Sequence, residues 1–562
     1  MKRFFTNLWE GIAQSFTEHK GFIFLLFFFN YFTMAWFLSL SDEIYEAFEY
    51  GCVLLLFIVL LAALLHRALN PKWRTRTEKA LLFVCCVPFV IESFVMYNYK
   101  ALIGAGIVNS IMETNFKESV EFFKMYVTWR EVSAVIGGCV ICALLWRFFR
   151  HRPFPGGVRA QRVLLSILTV AGLGFAVPVF MERAEFFFCE LLPIERVVSA
   201  TSVAVENAAA YRRLAEHIHA DIRLTENKST IRNIVFILGE STNRNHMHLY
   251  GYYLPNTPNL DALRDKGEIC VFSDVISPHS TTVAVLSELF TFCDYESDKP
   301  WYEYNNLIDI MNAAGYKTFW LSNQESSGIW GNVAQIYANH SSMHRFTRLR
   351  DSTEDQGILD EELFPVLEEA RRESSPDRNF YVLHLMGGHG LYYNRYPYSF
   401  HKFTADDIRL QVSERFRTIV AEYDNALYYN DYIVSEIINR FRDEETLVIY
   451  VPDHGEAVYD EGGSIAGHIE ENPNRHMIEI PVIFWASPKF REKYPEKWAA
   501  ITEAADRPYR TDVMIHTILE LADIRTEEWD PEKSVINDDF DAARPRFFGE
   551  LNYDTEIRGQ RP

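Results

Sequence analysis

Hydrophobic residues are unevenly distributed along the chain. Up to about Met181 the sequence contains long apolar runs separated by short polar or charged segments. An apolar run of about 20 residues is long enough to cross a bilayer as a helix. The five predicted spans are approximately 21–40, 50–69, 80–97, 132–149 and 163–181. We therefore predict a transmembrane domain of five helices over residues 1–181.

The charges of the loops predict the orientation of these spans. Lys and Arg are concentrated before the first span and in the second and fourth loops, whereas the first loop carries acidic residues and no basic one. Because cytoplasmic loops are enriched in Lys and Arg, we expect the N-terminus in the cytoplasm. The first span lacks a small-residue cleavage site and is followed by further spans, so it does not resemble a signal peptide. Five spans then place everything after Met181 outside the cytoplasm.

The pattern changes after the last span. Residues 182–229 are predicted to form an amphipathic bridging segment at the membrane interface. From residue 230 to residue 562, short β-forming apolar runs alternate with helical segments. This alternation is typical of an α/β domain with a mostly parallel sheet flanked by helices.

Ionisable residues directly follow three apolar runs of this domain. The runs and the residues after them are 233–238 with Glu240, 380–384 with His389, and 446–451 with Asp453 and His454. In an open parallel sheet, ligands bind at the edge where the carboxyl ends of the strands meet. Oxygen and nitrogen donors of this kind suit zinc, so we predict a metal site at this edge. His468 is either a further ligand from a returning loop or a surface histidine.

Several hydroxyl side chains are candidate nucleophiles. They are Ser241 and Thr242 beside Glu240, and the run Ser280, Thr281 and Thr282. Coordination by zinc lowers the pKa of a hydroxyl group enough for attack on a phosphodiester. Thr282 precedes the apolar helical segment 283–290, whose first N–H groups can receive a phosphoryl group, although such a run can equally be a helix N-cap.

Two further features of the membrane part bear on function. The third loop, residues 98–130, faces the same side as the α/β domain and contains Thr114 and Glu118. It either contributes to the site or is a solvated interfacial loop. Glu92 lies near the end of the third predicted span, where an ionisable group is expected to be paired or functional.

Composition excludes some classes of partner. The formal net charge of -21 argues against nucleic acid, whose phosphates require Lys and Arg. If the substrates are anionic lipids, an acidic domain must neutralise their phosphates locally, and a bound cation is the simplest means. Five of the eight cysteines fall in apolar runs, so no disulfide framework is predicted.

The chain resembles the phosphoethanolamine transferases of lipopolysaccharide, members of the alkaline phosphatase and sulfatase superfamily. The resemblance covers the whole chain, because this family also combines five membrane helices, a bridging segment and a periplasmic catalytic domain. The residues that carry it are 235–251 (VFILGESTNRNHMHLYG), 384–390 (HLMGGHG), Tyr393, Tyr396, Pro397, 423–425 (YDN), 453–456 (DHGE) and His468.

The resemblance implies an activity and a location. Such an enzyme transfers phosphoethanolamine from phosphatidylethanolamine to lipopolysaccharide through a covalent enzyme intermediate. It is a multi-pass protein of the bacterial inner membrane. The donor, the acceptor and the membrane lipids are therefore the expected partners.

The resemblance also implies roles for particular residues. Zinc is held by Glu240, Asp453 and His454 together with the nucleophile Thr282, for which Thr281 is the alternative. His389 and His468 bind the phosphoryl group or a second zinc ion. Thr114 and Glu118 help to hold the phosphoethanolamine head group.

One departure from the family pattern concerns the acceptor. Members that modify lipid A resemble each other in having cysteines on either side of the nucleophile, whereas here those positions are Pro278 and Glu288. The chain therefore looks more like the branch that acts on the lipopolysaccharide core than like the lipid A branch.

Three rival functions remain compatible with the pattern. They are a membrane phosphoglycerol transferase, a phosphodiesterase or sulfatase-type hydrolase, and a non-catalytic membrane scaffold. A sulfatase requires a modified Cys or Ser followed by Pro and Arg, and the sequence that begins at Thr282 lacks this pattern. A scaffold would bind no zinc.

Overall fold

The computed structural model describes most of the chain and divides it into two compact units. The described residues are 2–40, 43–114, 116–151, 157–182, 192–216, 222–325, 333–348 and 358–559. The first unit contains Met1–Asn109 and Tyr126–Ala204, and the second contains Ser110–Met125 and Val205–Pro562.

The described part of the chain before the α/β domain consists mainly of helices. Its helices are α1 (Lys2–Glu18), α2 (Lys20–Leu40), α3 (Ile44–Ala68), α4 (Pro71–Tyr99), α5 (Ala105–Glu113), α6 (Phe116–Tyr126), α7 (Trp129–His151), α8 (Gly157–Glu182) and α9 (Pro193–Glu216). Those in the described residues that are long and apolar enough to cross a membrane are Lys20–Leu40, Ile44–Ala68, Pro71–Tyr99 and Trp129–Phe149. They contain the first, third and fourth predicted spans and all of the second except its last residue, Leu69.

The fifth predicted span and the bridging segment are described only in part. Residues 163–181 lie within α8, whose side chains are described as far as Phe175. Helix α9 lies within the predicted bridging segment, whereas residues 183–191 and 217–221 of that segment lie outside the described residues. The amphipathic helix α1, which precedes the first span, was not among the predicted elements.

Glu92 is paired, as expected for an ionisable group at membrane depth. Its carboxylate is fully buried and receives two hydrogen bonds from Arg196 of α9, Nε to Oε2 at 2.7 Å and NH2 to Oε1 at 2.6 Å. The Thr33 hydroxyl of α2 donates a further hydrogen bond. A charged group in an apolar bundle is tolerated when its partners satisfy it in this way. The bidentate pair therefore connects α4 with α9.

The second unit is built around a seven-stranded, mostly parallel sheet. The described strands of the unit, in this sheet and in four two-stranded sheets, are β1 (Leu224–Asn227), β2 (Asn233–Gly239), β3 (Ile269–Phe272), β4 (Val275–Ile276), β5 (Lys317–Glu325), β6 (Met343–Arg348), β7 (Asn379–His384), β8 (Thr446–Pro452), β9 (Ala457–Val458), β10 (Ala466–Gly467), β11 (Val482–Ala486), β12 (Tyr509–Arg510), β13 (Ile524–Thr526), β14 (Phe547–Phe548) and β15 (Leu551–Asn552). The order in the large sheet is β3-β11-β8-β2-β7-β5-β6, and β11 is antiparallel to its neighbours β3 and β8. This arrangement confirms the α/β fold with a mostly parallel sheet.

Helices cover both faces of this sheet. They are α10 (Pro258–Asp265), α11 (Thr282–Leu289), α12 (Leu307–Ala313), α13 (Val333–His340), α14 (Leu363–Arg372), α15 (Glu414–Phe441), α16 (Arg475–Ile478), α17 (Pro488–Lys493), α18 (Pro495–Glu503) and α19 (Met514–Leu521). Alternate residues of a strand point to opposite faces, so Phe236 of β2 packs in one core and Val235 in the other. All seven residues of β2 are buried, as expected for a strand covered on both faces.

The register of the central strands determines where the site forms. Strands β8, β2 and β7 are adjacent and parallel, and Leu238 of β2 lies opposite Val451 on one side and His384 on the other. The next residue, Gly239, lies opposite Pro452. The residues after these strand ends, including Glu240 and Asp453, therefore emerge side by side at one edge of the sheet.

Candidate metal and nucleophile site

Glu240, Asp453 and His454 lie together at the carboxyl ends of β2 and β8. Ligand atoms of the three side chains all lie within 4.8 Å of one another, and all three residues are completely buried. His454 Nε2 is 3.6 Å from Glu240 Oε1 and 3.5 Å from Asp453 Oδ2. The predicted metal ligands are thus brought together by the sheet register.

The donor set fits zinc. In a tetrahedral site with bonds of about 2.0 Å, neighbouring ligand atoms are about 3.3 Å apart, close to the separations around His454 Nε2. His454 Nδ1 donates to the carbonyl oxygen of Gly455 at 2.8 Å, which leaves the lone pair on Nε2 facing the two carboxylates. Asp453 Oδ2 and His454 Nε2 are buried and have no hydrogen-bond partner among the described residues. A bound cation would satisfy both atoms.

Hydrogen bonds hold the two carboxylates in place. Asp453 Oδ1 accepts from the backbone N–H of Ser241 at 3.1 Å and from that of His454 at 2.7 Å. Glu240 Oε1 accepts from the Ser241 hydroxyl at 2.8 Å. The neighbouring turn requires a glycine at position 387. There φ is +45°, and the Cβ atom of any other residue would lie 2.6 Å from the Glu240 carbonyl oxygen. The backbone at Gly387 therefore packs directly against the backbone of Glu240.

Burial and charge repulsion perturb the ligands in the absence of a cation. Burial and the neighbouring Asp453 raise the pKa of Glu240 to about 8. Burial, together with the positive charge of His468, lowers the pKa of His454 to about 4. The site thus favours a neutral imidazole and resists the ionisation of both carboxylates. A divalent cation reverses this preference for the carboxylates.

Thr282 is the hydroxyl residue that best combines access with proximity to the ligands. It is the first residue of α11, and its Oγ1 donates to Glu240 Oε2 at 3.2 Å. Ser241 and Thr242 are completely buried, whereas Thr282 is partly exposed. The Thr281 hydroxyl instead donates to Glu470 at 3.2 Å. Of the predicted candidates, Thr282 is therefore the one that a substrate can reach beside the ligands.

Two histidines flank this group and differ in charge. His468 Nδ1 donates to Glu456 Oε2 at 2.6 Å, and its ring centroid is 4.2 Å from that of His454. Although burial opposes the charge, Glu456 raises the pKa of His468 to about 9. Burial, aided by Arg395, lowers the pKa of His389 well below its ordinary value. His454, Glu456 and His468 also form a second cluster of donors within 4.8 Å.

The structure describes the side chain of only one of the two predicted residues of the third loop. The Thr114 hydroxyl donates to the backbone oxygen of Ser110, and the Glu118 side chain lies outside the described residues. The same loop nevertheless contacts the His389 segment through Glu121, which is 2.5 Å from the guanidinium of Arg395. Arg395 Nε in turn donates to the His389 carbonyl oxygen at 2.9 Å.

Sequence reasoning missed Gln324, which contacts a proposed ligand directly. Its Nε2 donates to Glu240 Oε2 at 3.0 Å and to the Leu385 carbonyl oxygen at 3.1 Å. Gln324 lies near the carboxyl end of β5, a strand of the same sheet. The signal that identified the other strand ends, a polar residue after an apolar run, is also present here.

Comparisons with known proteins agree with this architecture. The Sulfatase family model matches residues 232–524, slightly more than half of the chain, and the model described as phosphoethanolamine transferase EptA/EptB matches residues 50–190. Phosphoethanolamine transferase EptC of Escherichia coli K12 is 26% identical over 472 residues, which cover 79% of this chain and 80% of the relative. Phosphoethanolamine transferase CptA of Salmonella typhimurium LT2 is 28% identical and covers 80% of this chain and 81% of its own.

Solved structures show the same fold. The C-terminal periplasmic domain of E. coli EptC, in complex with Zn, is 29% identical with a TM-score of 0.56, and the match covers 61% of this chain and 97% of that one. The integral membrane phosphoethanolamine transferase EptA of Neisseria meningitidis has a TM-score of 0.66 and covers 92% of this chain and 97% of its own. At 22% identity, the second match shows the fold alone.

These findings define the class of protein. The chain belongs to the sulfatase family, and residues 50–190 match the model described as phosphoethanolamine transferase EptA/EptB. The relatives named above are phosphoethanolamine transferases, which agrees with the transferase activity expected from the resemblance. The multi-pass inner-membrane location with a periplasmic catalytic domain also agrees with these relatives.

Proposed function

We propose that this enzyme transfers phosphoethanolamine from phosphatidylethanolamine to lipopolysaccharide through a covalent intermediate on Thr282. The observation that carries the proposal is the Thr282 hydroxyl, 3.2 Å from Glu240 Oε2, at the first position of α11. An accessible hydroxyl beside two buried carboxylates and a neutral imidazole is the arrangement that a metal-assisted phosphoryl transfer requires.

The residues suited to hold zinc are Glu240, Asp453, His454 and Thr282. Zinc, when bound, supplies Lewis-acid chemistry that lowers the pKa of the threonine hydroxyl and neutralises charge on the phosphoryl group. The fit rests on the two unpartnered donor atoms and on separations typical of a tetrahedral site. The zinc complex of the EptC periplasmic domain supports the same choice of metal.

In the first step, Thr282 Oγ1 forms a bond to the phosphorus of the donor lipid. The bond from phosphorus to the diacylglycerol oxygen breaks, and diacylglycerol leaves with the proton that the Thr282 hydroxyl has lost. The protonated His468 places a positive charge where the phosphoryl oxygens gain negative charge. The backbone N–H groups at the start of α11 stabilise the same oxygens.

In the second step, an oxygen atom of the acceptor attacks the phosphorus and the bond to Thr282 Oγ1 breaks. If the acceptor is a hydroxyl group, its proton must be removed. His389 is buried and neutral, and its Nδ1 has no partner among the described residues, so it is suited to accept this proton. Thr282 regains a proton when it leaves.

We assign the lipopolysaccharide core, rather than lipid A, as the acceptor. The described cysteines of the catalytic domain, Cys270 and Cys293, are both free. Pro278 and Glu288 occupy the positions where the resemblance places cysteines in members that modify lipid A. The assignment of the core as acceptor therefore rests on the residues at these two positions on either side of Thr282.

The test is mass spectrometry of lipopolysaccharide from cells that lack the gene and are complemented with wild type, Thr282→Ala or Thr281→Ala. We expect one additional phosphoethanolamine on core fragments with wild type and with Thr281→Ala, and none with Thr282→Ala. Phosphoethanolamine on lipid A fragments alone would overturn the acceptor. Phosphoglycerol in its place would overturn the donor.

A further inference from the structure

His279 lies between two carboxylates in the segment that leads into Thr282. Its Nε2 is 3.2 Å from Glu288 Oε1, and its Nδ1 is 3.2 Å from Glu470 Oε2. Glu288 lies in the last turn of α11, the helix that Thr282 begins. Glu470 lies in the loop that carries His468. The His279 side chain therefore connects α11, which begins at Thr282, to the loop that contains His468.

Glu470 extends this connection to the residues directly before the nucleophile. Its Oε1 accepts from the backbone N–H of Ser280 at 2.7 Å and from the Thr281 hydroxyl at 3.2 Å. The Ser277 hydroxyl donates to the His279 carbonyl oxygen at 2.7 Å. Hydrogen bonds thus hold each of the three residues directly before Thr282. Both carboxylate oxygens of Glu470 accept hydrogen bonds from this segment.

We propose that His279 is a positioning residue that holds Thr282 and His468 in a fixed relation by bridging Glu288 and Glu470. This inference rests on the proposed role of Thr282 as nucleophile. An ionised carboxylate accepts hydrogen bonds but cannot donate them, so an imidazole that bonds two ionised carboxylates must carry a proton on each nitrogen. The His279 bridge therefore requires the imidazolium form.

The surrounding charges favour that form. Burial opposes the positive charge, but Glu288 and Glu470 outweigh it and raise the pKa of His279 to about 10. Behind Glu288, Arg510 NH2 lies 3.4 Å from Glu288 Oε2. His279 thus remains charged at neutral pH, and against the effect of burial His279 and then Arg510 lower the pKa of Glu288.

Loss of the imidazolium would slow catalysis because it would displace Thr282 relative to His468. Glu288 and Glu470 would face each other without the intervening charge, and their repulsion would separate α11 from the His468 loop. A displacement of about 1 Å in a reacting group can reduce a rate about 100-fold. Because His279 is not placed on the substrate, this loss should reduce kcat far more than it changes KM.

The experiment measures the single-turnover rate of the covalent adduct in the full-length protein in detergent micelles, with phosphatidylethanolamine as the donor. For His279→Gln we expect a rate about 10- to 100-fold below that of wild type. KM and zinc content should be unchanged. His279→Lys, which keeps one positive charge, should retain more activity than His279→Gln.

The matched control is His248→Gln. His248 also pairs with a carboxylate, Asp261, at 2.6 Å, but it lies outside the site and outside the bridge. The control should keep the wild-type rate. Adding Glu288→Gln to His279→Gln should recover part of the lost rate, because it removes the repulsion that the first substitution exposes.

The outcomes separate the bridge from the proposed function. If wild type forms no adduct, Thr282 is not the nucleophile. If wild type forms the adduct and His279→Gln forms it equally fast, the positioning role is wrong. If His279→Gln does not fold, Glu470→Gln replaces it in the test, because the amide oxygen of Gln still accepts a hydrogen bond from the Ser280 N–H. A rate of Glu470→Gln within twofold of wild type would then refute the bridge.

Discussion

Removal of zinc should make the stability of the protein depend on the ionisation of Glu240. In the metal-free state, burial and Asp453 raise the pKa of Glu240 to about 8 from its ordinary value of 4.5. Between these values the folded state holds a proton that the unfolded state has released. The free energy of unfolding therefore falls by about 1.4 kcal/mol for each pH unit in this range.

Other groups titrate in the same range, so a variant is needed to isolate Glu240. Glu240→Gln cannot ionise, and its one amide oxygen can take the place of Oε2, which accepts from Thr282 and Gln324. Between about pH 6.5 and pH 8, the metal-free wild type should lose about 1.6 kcal/mol relative to this variant, because the slope falls to half at the folded pKa. With about 2.1 cal/mol/K of unfolding entropy per residue, the loss corresponds to about 2 °C in Tm for a unit of this size.

The assay is thermal unfolding of the full-length protein in detergent, with and without zinc. The fluorescence of Trp320 and Trp485, which are buried in the second unit, reports its unfolding. With zinc saturating, the difference between wild type and Glu240→Gln should not change with pH, because the metal keeps the carboxylate ionised. Parallel pH profiles of the two metal-free proteins would refute the reasoning.

Three further predictions follow from other parts of the structure. A reporter fused after Glu226 should be active outside the cytoplasm and one fused at Pro155 inside it; the reverse pattern would contradict the orientation derived from loop charge. Gln324→Ala removes a hydrogen bond to Glu240, so we expect kcat to fall about 10-fold as for other residues that orient a metal ligand, and an unchanged kcat would exclude this role. His246 lies 2.8 Å from each of two buried carboxylates, those of Asp424 and Asp460. His246→Phe should cost about 3–5 kcal/mol, measured by thermal unfolding, and a wild-type Tm would contradict this.

The sequence allowed the membrane spans and the central strands to be predicted because both depend on local pattern. Long apolar runs identified the first four spans. Apolar runs followed by ionisable residues identified β2, β7 and β8, and the rule that ligands bind at the carboxyl edge of a parallel sheet brought Glu240 and Asp453 together. The structure adds the register that places them side by side.

Contacts between distant residues could not be derived in this way. Arg196 pairs with Glu92 from a position 104 residues away, and no pattern in either helix indicates the pairing. The choice between Thr281 and Thr282 depends on Glu470, which accepts from the first and leaves the second free to face Glu240. Such choices are decided by tertiary hydrogen bonds rather than by local spacing.

The central claim is that Thr282 carries phosphoethanolamine during transfer. The most direct measurement is the intact mass of the full-length protein after incubation with phosphatidylethanolamine, followed by peptide fragmentation. We expect wild type to gain one phosphoethanolamine on Thr282, and Thr282→Ala to gain none. An adduct on another hydroxyl residue, or turnover without any adduct in wild type, would contradict the account.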